Sequence, residues 1–256
     1  MTNDVADAPA TDGFQVNGSL PLYAEPRAVH SLTHRDVAVR LGAGDFAFAA
    51  KAPMVQITVD EFERAALDYP IVFFGDDHQP FIVSGLGLDR NLFVTEGQYA
   101  AGAYIPAYLR RYPFVFARDE GSDALILCLD HASDRVAVAG TAGAEPLFDG
   151  QEPAALTKQA LAFCESYEAA DARTKAFVKL VEELGLFESK QAHYTAPGSS
   201  TPTLLLEYLI IDRARLDGLP DENFAKLREA KLVSAVYAQI ASQANWEVLP
   251  FKNQVA

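Results

Sequence analysis

The sequence predicts an α+β fold, with a mainly antiparallel sheet in the N-terminal half and helices largely contributed by the C-terminal half. Up to about residue 150, short apolar runs and two-residue alternation recur between turn signals, as half-buried strands require. From about Pro153 the apolar residues fall instead at helical spacing. The connections between the early strands are too short for crossovers, and strands and helices do not alternate along the chain, which excludes a doubly wound sheet.

Residues 1–27 mix Ala, Asp, Asn and Gly with Pro9, Pro21 and Pro26, and read as an extended or partly disordered arm. Residues 28–256 read as a single α+β domain, strand-rich over 28–150 and helix-rich over 151–250. In the run from His34 to Arg40, Val37 and Val39 share one face while His34, Asp36 and Arg40 share the other. Phe46-Ala47-Phe48 and Val55-Gln56-Ile57 repeat that pattern. Thr58 or Asp60 can cap a short helix with Phe62, Ala65 and Ala66 on its face, and Pro70 resets the backbone for a strand from Ile71 to Phe74.

Strands are expected at Phe81–Leu86 and Leu92–Val94. A short helix is expected from Tyr104 to Arg111, with Pro106 in its first turn and Pro113 ending it. Phe114–Ala117, Ala124–Leu129 and Arg135–Ala139 read as an antiparallel set joined by Asp-Glu-Gly-Ser and His-Ala-Ser-Asp turns. Leu156, Ala160, Phe163, Cys164 and Tyr167 then lie at helical spacing, as do Phe177, Val178, Val181 and Leu184 before Gly185. A polar loop over 188–202 precedes an apolar strand, Thr203–Ile211. A last helix after Pro220 carries Phe224, Leu227, Val233, Val236, Tyr237 and Ile240 as its buried stripe.

Composition bounds the function. The 256 residues, 50% hydrophobic, suffice for a substantial core. Lys and Arg total 21 against 35 Asp and Glu, a formal net charge of −14, which repels phosphate backbones and anionic leaflets, so no nucleic acid partner is expected. The acidic start MTNDVADAPATDGF has neither the basic nor the apolar region of a secretory signal, and no apolar run approaches the ~20 residues of a membrane span. A cytoplasmic location follows as the expectation. Cys128 and Cys164, without a partner motif, read as reduced buried thiols.

Chemical motifs are sparse. In the run from Gly85 to Arg90 the third glycine of a dinucleotide fingerprint would fall at Arg90, and no Gly-Lys-Ser/Thr follows, so the glycines read as a tight turn. His34 and Asp36 have the His-x-Asp spacing of two ligands in a facial metal triad, with His78, His131 and His193 available as a third; a solvated strand face gives the same pattern. No serine-nucleophile motif occurs, and the apolar run around Cys128 blunts a thiol. Asp60, Glu61 and Glu63 crowd a helix start, where the helix dipole accounts for them. The acids and bases of the helical stretch from Glu165 read as a solvated face.

The run from Tyr104 to Phe114, YIPAYLRRYPF, differs in kind. It joins Arg110 and Arg111, in an otherwise acidic chain, to Tyr104, Tyr108 and Tyr112 at i, i+4 and i+8, which would align three phenols on one helical face. Arginine beside aromatics is the composition of partner-binding surfaces; tyrosines in the core with arginines neutralising local acids is the other reading.

His34-Arg35-Asp36, Glu61-Phe62, Tyr69-Pro70-Ile71-Val72-Phe73, Gly85-Leu86 with Asn91-Leu92-Phe93, and Tyr104-Ile105-Pro106-Ala107-Tyr108 with Arg110-Arg111-Tyr112-Pro113-Phe114 occur here in order. Together, over roughly residues 29–249, they resemble the SapC family, named after a protein linked to bacterial surface layers. Members tend to place a tryptophan ahead of the YIPA segment, where Gln98 and Tyr99 stand here, so a ligand stacked on that tryptophan would differ in this chain. The resemblance implies a bacterial protein often encoded near TonB-dependent receptors, flavin-dependent halogenases and cupin-like oxygenases, and brings no catalytic residues with it.

The resulting expectation is a non-catalytic accessory or adaptor protein that needs no cofactor. It would bind a peptide or protein partner, among them a halogenase, oxygenase or TonB-dependent receptor, through Tyr104, Tyr108, Arg110, Arg111, Tyr112 and Phe114. A metal-dependent oxygenase or hydrolase using His34 and Asp36 is the alternative from the residues. A surface-layer or secretion-associated factor is the alternative from the family's name. A homodimer is compatible with the sequence, although no seam in it demands one.

Overall fold

The computed structural model describes residues 20–40, 45–87, 89–118, 124–195 and 200–252. Antiparallel strands lie mainly in the N-terminal half and the longer helices in the C-terminal half, so the fold is α+β. Two compact units form, one from residues 1–41 and 112–164 and the other from residues 42–111 and 165–256.

In the first unit, Phe114–Arg118 pairs with Leu125–Asp130, which pairs on its other side with Pro26–Ala28. Alternation along these strands sorts their side chains. Phe114, Phe116, Leu127 and Leu129 pack with Val39, Leu147 and the first turns of a helix at Leu156, Ala160 and Cys164, while Val115, Ala117 and Cys128 face Leu20, Tyr23 and Ala28. A second small sheet sets Val37–Val39 between Val136–Val138 and Glu145–Pro146. The run Arg135–Ala139 therefore leaves the expected three-strand set and pairs with Val37–Val39. Pro26 and Arg27, at the end of the expected arm, belong to a strand, while residues 1–19 of that arm and the turn expected at 119–122 lie outside the described residues.

The second unit is built on a five-stranded antiparallel sheet in the order Phe187–Tyr194, Thr203–Ile211, Ile71–Phe74, Gln79–Val83, Met54–Gln56. Its core joins Phe62, Phe73 and Phe177, with Phe62 and Phe177 edge to face at 5.6 Å. The helix Val233–Ser242 completes the strand ends: Gln239 donates to the Ile71 carbonyl at 2.9 Å and accepts from the Ile211 amide at 3.0 Å, and Ser242 Oγ accepts from the Ile71 amide at 3.0 Å.

Several expected elements are redrawn. Phe46–Phe48 is not a strand: Ala47–Ala49 forms a 3-10 turn, since three alternating residues fit either geometry. Phe187–Tyr194 is a strand that takes in the first part of the expected polar loop, and because it is the outer strand of the sheet it needs few apolar side chains. The two helical patterns after Pro153 are one helix, Ala155–Glu183. The last helix divides into Asp221–Glu229 and Val233–Ser242 at Lys231, whose φ is +60°, and Tyr237 is 39% exposed rather than buried. Gly85 serves a close approach: a Cβ there would lie 1.9 Å from the Arg90 carbonyl oxygen, so the tight turn is packed against backbone.

Candidate functional site

The Tyr104–Phe114 segment folds as a loop and a helix of four residues, Ala107–Arg110, with Pro106 at its N-cap. Tyr104 lies before that helix and Tyr112 after it, so the three tyrosines do not form a helical stripe. Pro106 fixes the start of the helix, and the Tyr112–Pro113 peptide that follows it is cis. The segment also divides between the units. Tyr112 and Phe114 belong to the first, and Tyr104, Tyr108, Arg110 and Arg111 to the second.

In the second unit the segment is organised by Glu61, a buried carboxylate. Its Oε2 accepts from the Thr58 amide at 2.8 Å and the Thr58 hydroxyl at 2.9 Å, the backward reach of a capping box. Its Oε1 accepts from the Ala107 amide at 2.7 Å and the Tyr104 hydroxyl at 3.0 Å. One carboxylate thus fixes the start of one helical turn and the start of the helix carrying Arg110. Burial, and then the neighbouring Glu61 charge, push the Tyr104 phenol up to about 12, so it keeps its proton for that bond.

The backbone of Tyr104 is held as firmly. Its amide donates to Asp68 at 2.9 Å, and its carbonyl accepts from the buried Tyr69 hydroxyl at 2.6 Å, with the Tyr99 hydroxyl 2.8 Å from that of Tyr69. Arg110 is exposed. Its Nε donates to the Ile105 carbonyl at 3.0 Å, its Nη2 to the Tyr104 hydroxyl at 3.3 Å, and its guanidinium carbon lies 5.8 Å from the centre of the Tyr104 ring. A chain of contacts therefore leads from buried Glu61 through Tyr104 to a cation at the surface.

Arg111 is its opposite. It is buried, with its guanidinium carbon 4.3 Å from the Tyr108 ring centre and 4.2 Å from that of Tyr167, two rings that also meet edge to face. Tyr108 is buried too, and its burial raises the phenol pKa against the pull of Arg111.

In the first unit Tyr112 and Phe114 are both buried. The Tyr112 hydroxyl donates to Asp130 at 3.3 Å, its carbonyl accepts from Arg135 at 2.6 Å, and the Phe114 carbonyl accepts from the Tyr23 hydroxyl at 2.8 Å. Asp130 also accepts the amides of Ala24, Glu25 and Ala132. Of the six expected contact residues, Arg110 is exposed and Tyr104 partly so, while Tyr108, Arg111, Tyr112 and Phe114 are buried.

His34 and Asp36 differ in exposure. His34 precedes the strand Val37–Val39 and is buried, whereas Asp36 is exposed. His34 meets His131, Nε2 to Nε2 at 2.8 Å. Because the His30 amide donates to His34 Nδ1 at 3.0 Å, the neutral ring carries its proton on Nε2 and donates it to His131. Among the described residues no group of three or more His, Cys, Asp or Glu side chains is placed to hold a metal ion. Cys128 and Cys164 are free and buried, and burial pushes the Cys128 thiol up to about 11.

The histidine pair predicts a pH response. Burial lowers both pKa values below 6.5, His131 lowers His34 further, and Arg27 lowers both, while Glu25 and Asp130 act in the raising direction on His131, and on His34 the His30 backbone raises while the His30 ring lowers. A base held below its unfolded pKa contributes stability that is complete above pH 6.5 and is lost as pH falls through the lowered values. Urea unfolding at pH 7.5 and pH 5 should show a loss in the wild type that is smaller in His131→Gln; equal losses in the two proteins would remove the pair as its source.

Fold and site together define an α+β protein with an aromatic and arginine segment anchored on a buried glutamate. A family model, SapC, matches residues 29–249, and the chain belongs to the SapC family. Comparison with curated proteins and with solved structures finds no match to the chain. No helix among the described residues is long and apolar enough to cross a membrane.

Proposed function

We propose that this SapC-family chain is a cytoplasmic accessory protein without catalysis of its own, which docks a peptide or protein partner at Arg110 and Tyr104. The observation that carries the reading is the fixed geometry of Arg110. An exposed arginine ordinarily loses side-chain freedom when it binds, at about 0.5–1.5 kcal/mol. Here the Ile105 carbonyl and the Tyr104 hydroxyl already restrain it, and Glu61 restrains Tyr104. Tyr108 and Arg111 act behind the surface as its scaffold. The partner would present a carboxylate or backbone carbonyl to the guanidinium and an apolar group to the Tyr104 ring.

The engaged state of the other titratable groups supports a non-catalytic reading. Glu61 is saturated by four donors, His34 and His131 satisfy each other, and the Cys128 thiol is raised. The partners that the family resemblance nominates are a flavin-dependent halogenase, a cupin-like oxygenase and a TonB-dependent receptor, each testable as a purified protein. Arg110→Glu should reduce capture of the cognate partner at least tenfold with an unchanged unfolding midpoint, whereas Arg228→Glu, on a separate exposed helix, should capture as the wild type does. Undiminished capture by Arg110→Glu would remove the site.

A further inference from the structure

The sheet of the second unit has an overhang. Thr203–Ile211 pairs along its whole length with Phe187–Tyr194 on one side, but on the other side it meets Ile71–Phe74 with Leu209 opposite Phe73. That register puts Tyr208 opposite Phe74, where the shorter strand ends, so Thr203–Glu207 runs past it by roughly 17 Å, at about 3.4 Å per residue. Among the described residues no strand pairs with this stretch on that side.

An open strand edge templates further pairing, and edges that stay single are normally guarded by charge. The outer strand of the same ribbon is guarded in this way by the Lys190–Glu188 ion pair. The overhang carries a single charge, the exposed Glu207 at its root, and its outer four residues carry none. From Gln191 to Leu206 the sequence contains no Asp, Glu, Lys or Arg, and Leu204 is 47% exposed with Leu205 and Leu206 beside it. In a chain of net charge −14, two copies repel over most of their surfaces, and an uncharged leucine edge is a place where that repulsion is least.

We propose that the stretch around Leu204 pairs with the same stretch of a second copy of the chain, antiparallel about a two-fold axis at Leu204, so that Leu204 faces Leu204 and Thr203 faces Leu205. An antiparallel strand pair is self-complementary under that symmetry, so one edge supplies both halves of the interface. The pairing joins the two ribbons into a continuous four-stranded layer and covers Leu204, the most exposed of the three leucines. This surface is separate from Arg110 and does not depend on the partner reading.

The test is sedimentation equilibrium of the full chain over a wide concentration range. The average mass should rise from one chain toward two. Leu204→Lys, which sets two ammonium groups face to face at the axis, should hold the mass at one chain while leaving the far-UV circular dichroism unchanged. An equimolar mixture of Leu204→Lys and Leu204→Glu should associate again, because opposite charges then meet, which a misfolded variant could not do. A wild type that stays at one chain throughout, a Leu204→Lys variant that associates like the wild type, or a mixture that does not associate would each overturn the assignment. So would a monomer that instead adds an extended peptide at this edge.

Discussion

Arg111→Glu is expected to unfold the second unit rather than alter its surface, costing roughly 4 kcal/mol or more. The guanidinium lies between the rings of Tyr108 and Tyr167 and is only 7% exposed. Ring faces are electron-rich, so they attract a cation and repel an anion, and the substitution exchanges the first situation for the second in a place water does not reach. Tyr167 already feels the charge of Glu61, which places a second carboxylate in the same neighbourhood. Arg111→Met keeps the length of the stem and most of the packing, and should lose about 1–2 kcal/mol, the worth of the cation–ring contacts. Urea unfolding followed by circular dichroism distinguishes the two. A charge reversal tolerated at less than about 1 kcal/mol would show that the guanidinium is not held as described.

Glu61→Gln should lose roughly 2–4 kcal/mol although it changes a single atom pair. Each carboxylate oxygen accepts two donors, Thr58 twice on one side and Tyr104 with Ala107 on the other. A carboxamide keeps one oxygen and turns an N–H donor toward whichever pair faces the other position, so two donors lose their acceptor in either orientation. Glu61→Ala strands all four and should be worse. The loss should be accompanied by a changed near-UV signal from Tyr104, whose hydroxyl depends on this carboxylate. An unchanged midpoint for Glu61→Gln would contradict the role of Glu61 as the anchor of the segment.

Much of the fold was legible because its central strands announce themselves. Ile71–Phe74 is an apolar run between Pro70 and Gly75, and Thr203–Ile211 is one between Pro202 and Asp212. The outer strand FESKQAHY was not, since a strand paired on one side and facing solvent needs no apolar alternation. The candidate segment was legible as an unusual composition but not as a geometry. Tyr104, Tyr108 and Tyr112 have helical spacing, yet Pro106 and Pro113 leave room for one helical turn, and that restriction could have been read from the two prolines alone. The roles of the two arginines could not. Which neighbour faces water depends on Tyr167, distant in the chain, and on Glu61, whose place at a helix start conceals that it holds a second helix as well. The same holds for His34, whose partner His131 lies 97 residues away and shares no motif with it.

The most direct test of the partner surface is calorimetric titration of the cognate partner into wild type, Arg110→Lys and Arg110→Glu. A surface in which a restrained guanidinium makes the contact predicts measurable weakening already in Arg110→Lys, which keeps the charge but not the planar donors, and loss of binding in Arg110→Glu. Equal affinity in all three proteins would contradict it and place the function of this chain elsewhere on the molecule.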